Sequence, residues 1–200
     1  MKNGTMKKYL EQKKWSIPEK VTLAVAVVAA YLANFVWWGS YVGNPLFVIS
    51  VVVLAFLKTQ KVKDDEMDAT LNKWIQYDMD PRDLRKSLQT YNLRAEPVKR
   101  GKDGKLRSAS YVILKVEFAN ETETAQLSVW RFDLINETLT KEDYKVTLGE
   151  VSFIEESISL SGTRKTAAFL DCDAFSAPIP IDTNDHNADT AVKRLCGFET

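Results

Sequence analysis

Two uncharged apolar runs near the start of the chain constrain everything that follows. Residues 21–38, VTLAVAVVAAYLANFVWW, are 18 residues without a charge, and residues 46–57, LFVISVVVLAFL, are also uncharged and end at Lys58. Between them GSYVGNP holds two glycines and an Asn-Pro pair, which break one helix and can start another. At about 1.5 Å per residue the first run spans roughly 27 Å, close to the hydrocarbon thickness of a bilayer. The second matches it when it begins near Tyr41 or Gly43 and runs past Lys58, whose side chain can snorkel to the headgroups. The stretch 21–60 therefore reads as a transmembrane helical hairpin. Two other readings explain less. A buried hairpin of a soluble protein is rarely apolar all round. A cleaved signal peptide accounts for the lysines and the alanines near Ala30 but leaves the second run unexplained.

The flanking charges orient the hairpin. Lys2, Lys7, Lys8, Lys13, Lys14 and Lys20 precede it, Lys58, Lys61 and Lys63 follow it, and the connecting turn carries no charge. By the positive-inside rule this is a two-pass integral membrane protein with both termini in the cytoplasm. Trp15, Trp37, Trp38 and Tyr41 stand where an aromatic belt would lie. Asn34, the notable polar residue inside the first run, is placed to hydrogen-bond across the hairpin or to another copy, so a homo-oligomer through the hairpin is a possible partner.

The formal net charge of zero hides an asymmetry. Through Lys63 there are nine lysines and two glutamates, so residues 64–200 carry a balance of −7. An acidic domain behind a basic anchor does not fit nucleic acid, which requires a basic face. Cys172 and Cys196 form no disulfide framework, and a cytosolic domain keeps them reduced. Asn3, Asn120 and Asn136 begin glycosylation-type triplets that have no meaning in a cytosolic domain.

Residues 1–20 form a basic segment in which Met6, Tyr9 and Leu10 suit either an interfacial helix or a solvated tail. Ser16 and Pro18 mark a helix start. Residues 61–92 read as amphipathic linking helices. Met67, Leu71, Trp74 and Ile75 form the stripe of the first. Asp80 caps the second, with Leu84, Leu88 and Tyr91 on its apolar face. From 93 to 200 the period becomes two. Residues 93–100 and 105–118 flank Asp103-Gly104, a strong hairpin signal, with Val112 and Leu114 on one face and Tyr111 and Ile113 on the other. Further strands are expected at 126–135, 144–148, 151–160 and 164–171, with turns at 120–124, 136–143 and 161–163 and a proline-bearing edge segment at 177–181. A last helix capped by Asp185 or Asn187 carries Ala191, Val192 and Leu195 and stops at Gly197. The fold class is a membrane helical hairpin plus a mainly-β domain. That domain has about six or seven antiparallel strands in a small barrel or sandwich, closed by a C-terminal helix.

This layout resembles the pleckstrin-homology-like superfold, in which seven strands form two near-orthogonal sheets and a C-terminal helix closes one corner. Bacterial membrane proteins of similar pattern join an N-terminal helical hairpin to such a domain. The resemblance covers residues 93–197 by element order. It departs from many family members at the terminal helix, where Val192 and Leu195 stand and a tryptophan does not. Family members that bind phosphoinositides carry on the first hairpin a lysine, then a basic residue, any residue and an arginine. Lys99, Lys105 and Arg107 match that pattern. The resemblance implies that these three bind lipid, a generic anionic phospholipid in a bacterium. Strand spacing places Lys105 and Arg107 on one face with Lys99 across the turn. A solvated turn whose lysines discourage edge pairing is the plain alternative. The chain also resembles, in architecture, two-helix anchors joined to a β-rich sensor, as in some bacterial anti-phage effectors that respond to cyclic nucleotides.

Catalytic chemistry is sparse. His186 is the only histidine, no serine sits in a nucleophile elbow, and Gly101-Lys-Asp-Gly104 is too short for a phosphate-binding loop. Asp171, Asp173, Asp182, Asp185 and Asp189 lack the glycine and terminal glutamate of a calcium loop, and suit turns and caps better. The sequence points to a non-enzymatic anchored module, without cofactor or metal, that docks on membrane lipids or a protein partner. The alternative is a ligand-sensing effector whose β-domain binds a small molecule and whose hairpins oligomerise to perturb the membrane.

Overall fold

The computed structural model describes residues 4–13, 15–36, 39–119, 123–160 and 163–198. Trp37 and Trp38 of the expected belt, Lys2, Asn3 and Lys14, residues 120–122 and the turn at Ser161-Gly162 lie outside the described residues.

A short helix α1 (Thr5–Glu11) precedes two long apolar helices, α2 (Ile17–Phe35) and α3 (Gly39–Thr59). Ser16 starts α2 through a capping box: its hydroxyl accepts the Glu19 N–H, and its own N–H donates to the Glu19 carboxylate at 2.6 Å. Both helices are long and apolar enough to cross a membrane, and only 17% and 11% of their apolar windows are buried. A core helix of a soluble domain would bury most of that surface. Here Val27, Tyr31, Val52 and Phe56 face outward.

Small residues hold the pair together: Ala26 and Ala29 of α2 are buried with Gly43 and Ser50 of α3. A Cβ on Gly43 would lie 2.5 Å from the Ala29 carbonyl oxygen and 2.7 Å from the Ala33 nitrogen, so the backbones meet only because this residue is glycine. Asn34 donates to the Ala30 carbonyl of its own helix at 2.7 Å and does not reach across the hairpin.

Next come α4 (Asp64–Asp78) and α5 (Pro81–Leu84). Met67, Leu71, Trp74 and Ile75 of α4 are buried, as their spacing implies. Asp80 caps α5 by accepting the Arg82 N–H. The second linking helix, however, is only four residues long. The Ser87 hydroxyl donates to the Leu84 carbonyl, and the chain turns into strand β1 (Ser87–Tyr91). Leu88 and Tyr91 would share one face of a helix; in a strand, three residues apart, they point to opposite faces and serve two different cores.

The remaining elements are β2 (Lys99–Arg100), β3 (Leu106–Arg107), β4 (Ser110–Phe118), β5 (Thr124–Asp133), β6 (Thr138–Thr147), β7 (Ser152–Leu160), β8 (Thr163–Asp171), β9 (Ile179–Ile181) and α6 (His186–Leu195). The sheets are antiparallel: four strands in the order β1-β4-β5-β6, three in the order β7-β8-β9, and the small β2–β3 ribbon by itself. They do not close into a barrel. The hairpin around Asp103-Gly104 is shorter than its turn signal suggested, two residues a side, with Gly104 at φ 81°. The turn expected at 136–143 lies at 134–137, with Glu137 at φ 51°. An edge strand such as β6 tolerates Lys141, Glu142 and Asp143 because one side of it meets solvent.

The four-stranded sheet is covered on both faces. Ile113, Trp130 and Phe132 pack against α4 and against Met6, Tyr9 and Leu10 of α1. Val112, Leu114, Leu127 and Val129 meet Leu170 and Ile179 of the second sheet and Ala188, Val192 and Leu195 of α6. The N-terminal helix is thus part of the domain core, neither an interfacial helix nor a solvated tail. Asp185 caps α6, and Gly197 ends it at φ 73°.

Candidate lipid-facing site at the β2–β3 hairpin

Register places Lys99 directly opposite Arg107, as their spacing implies. Their side chains do not converge on solvent. Arg107 is 1% exposed. Its guanidinium donates to Asp68 at 2.8 and 2.6 Å and to Asp103 at 3.0 and 2.8 Å, which engages all but one of its N–H groups. Asp68 lies on α4 and Asp103 in the turn, so this arginine fastens the hairpin to the helix layer and stays charged. Its presence holds the Asp103 carboxyl down to about 2.

Lys99 is half-buried. Its ammonium donates to the Tyr9 carbonyl at 2.8 Å and lies 4.2 Å from the centre of the Tyr9 ring. Burial pushes its pKa down. Lys105 is exposed. Of the three residues expected to grip a phosphate together, two are occupied by the protein itself. The exposed bases on this hairpin are Arg100, Lys102 and Lys105. Arg100 was legible as the neighbour of Lys99 on the opposite strand face, and Lys102 as the basic residue of the turn. What hid them was the family pattern, which selects the other face.

The hairpin is fixed to the segment that follows α3. The Lys102 N–H donates to one Asp64 oxygen at 2.6 Å and the Tyr9 hydroxyl to the other at 2.8 Å. Burial raises the Asp64 pKa, but these two donors and nearby Arg107 outweigh it and hold the carboxyl below its ordinary value. Next to it, the Gln12 side chain pairs in both directions with the Val62 backbone, at 2.7 and 3.0 Å. Lys61 bridges to Glu19 at 2.7 Å and donates to the Lys13 carbonyl, and Lys58 lies over the Trp15 ring. Asp64 is five residues past the end of α3. Even a fully extended linker therefore keeps the hairpin tip within roughly 20 Å of where α3 ends.

Asp182 and Asp185 of the acidic cluster accept the Asn184 and Asn187 N–H groups, which is turn and cap chemistry. Among the described residues no three His, Cys, Asp or Glu side chains group closely enough to hold a metal ion. No protein-family model matches this chain, and neither the curated proteins nor the solved structures contain a significant match to it.

Proposed function

We propose that this chain is a non-enzymatic membrane-anchored module. In this reading α2 and α3 cross the membrane with both termini cytoplasmic, and a pleckstrin-homology-like domain is held against the anionic leaflet. Support for the fold is the element order: leaving aside the β2–β3 insertion, seven strands arranged as four and three are followed by a helix. The observation that carries the function is the mount at Asp64, which ties the hairpin to the start of α4, five residues past the end of α3. Lys99 and Arg107 position the hairpin from inside, and Arg100, Lys102 and Lys105 are the bases that meet headgroups. Each base near an anionic surface adds about 1 kcal/mol.

The test uses the full chain, because α1 belongs to the domain core. Hydrogen exchange is followed at residues 100–105 in nanodiscs of neutral and of anionic lipid. Slower exchange in anionic discs, lost on replacing Arg100, Lys102 and Lys105 by glutamine, supports the contact. Equal exchange in both lipids rejects it.

A further inference from the structure

An open cleft of about 570 Å³ lies between β1, the β2–β3 hairpin and the β8–β9 edge of the second sheet. Its walls are strand edges. The Asn92 N–H donates to the Ser110 carbonyl at 2.9 Å, which sets the phase of the β1–β4 ladder. Backbone groups alternate in direction along an antiparallel strand, so Leu88 and Thr90 turn theirs toward β4 while Gln89 and Tyr91 turn theirs away. Gln89 and Tyr91 line the cleft. Among the described residues no backbone hydrogen bond reaches β1 from that side. Across the cleft, β8 shares rungs with β9 only from Ala168 to Leu170, so Lys165 and Thr166 have no strand neighbour there. The rim carries three exposed bases, Arg100, Lys105 and Lys165, against one exposed carboxylate, Asp182, so its balance is basic in a region that is acidic overall.

We infer that this cleft takes an extended acidic segment of a partner protein, added as a strand along the outer edge of β1. Main-chain groups of the segment pair with Gln89 and Tyr91, and its acidic side chains face the basic rim. A row of outward donors and acceptors at strand repeat is satisfied in series by another strand. A compact small molecule reaches one such pair at most. The inference shares Arg100 and Lys105 with the leaflet contact, but it needs the edge of β1 and Lys165 and makes no use of Lys102, so neutral nanodiscs test it separately.

The test uses the full chain in neutral nanodiscs, with a capped heptapeptide of alternating Glu and Val as probe. At millimolar peptide the Gln89 and Tyr91 amides should exchange about tenfold more slowly. Lys165→Glu should weaken binding several-fold. Gln89→Pro removes an outward N–H without touching the β4 ladder and should abolish binding in a chain that still folds. Absence of protection, equal protection by a Lys/Val peptide, or binding unchanged in Gln89→Pro would overturn the inference. So would adenosine 5′-monophosphate occupying the cleft while the heptapeptide leaves both amides unprotected.

Discussion

The Lys102 amide and the Asp64 carboxylate meet at 2.6 Å, joining the tip of the β2–β3 hairpin to the first residue of α4. The Tyr9 hydroxyl donates to the second oxygen of the same carboxylate, so one side chain joins α1, α4 and the hairpin five residues past the end of α3.

Arg107 is structural. Replacing it with alanine leaves Asp68 and Asp103, each more than a third exposed, without a counter-ion, and losing a buried side chain's hydrogen bonds to charged groups costs about 1.5–3 kcal/mol. Denaturant unfolding of Arg107→Ala should show a loss of that order. Lys105→Ala, on the same hairpin but exposed, should stay within about 0.5 kcal/mol of the parent.

Acid should loosen the mount. Asp103 titrates near 2 in the folded chain, below its ordinary value of 3.8, chiefly because Arg107 hydrogen-bonds its charged form. A carboxyl depressed by folding contributes stability that is complete above its unfolded pKa and lost as pH falls through the folded one. Asp64 is shifted in the same direction. Melting temperature should therefore drop between about pH 4 and pH 2, and Asp103→Asn should flatten that slope.

Gly43 sets the approach of α2 and α3. Any Cβ there meets backbone atoms of Ala29 and Ala33, which cannot swing aside. Gly43→Val should lower thermal stability in detergent by about 1–3 kcal/mol and widen the distance between labels on the two helices. Ala55→Val, on an exposed position of α3, should do neither.

The β domain needs α1. Met6, Tyr9 and Leu10 are almost fully buried, and their transfer from water contributes on the order of 5 kcal/mol, comparable with the whole stability of many domains. A fragment beginning at Asp64 should unfold at lower temperature and with less cooperativity than the full chain, as read by near-UV circular dichroism.

How much of this was legible depended on how local the cause was. The apolar hairpin, the α4 stripe, the Ser16 and Asp80 caps, the α6 cap narrowed to Asp185 or Asn187, and the alternation at Val112, Ile113 and Leu114 each depend on neighbours a few residues away. All were readable. β1 was not, because Leu84, Leu88 and Tyr91 fit a helical period, and only pairing with β4 makes Ser87–Tyr91 a strand. The candidate site was readable in register but not in burial. Lys99 and Arg107 do face each other, yet Asp68 and Tyr9 arrive from distant segments and take up both charges. Nothing near Arg107 in the chain announces Asp68.

The measurement that bears most directly on the leaflet-docking account is the depth of residue 102. A nitroxide at Lys102→Cys, with Cys172 and Cys196 replaced by serine, is read by power-saturation spectroscopy in the full chain. The account predicts headgroup depth in anionic bilayers and withdrawal into water at high salt. A label in bulk water in neutral and anionic bilayers alike would contradict it.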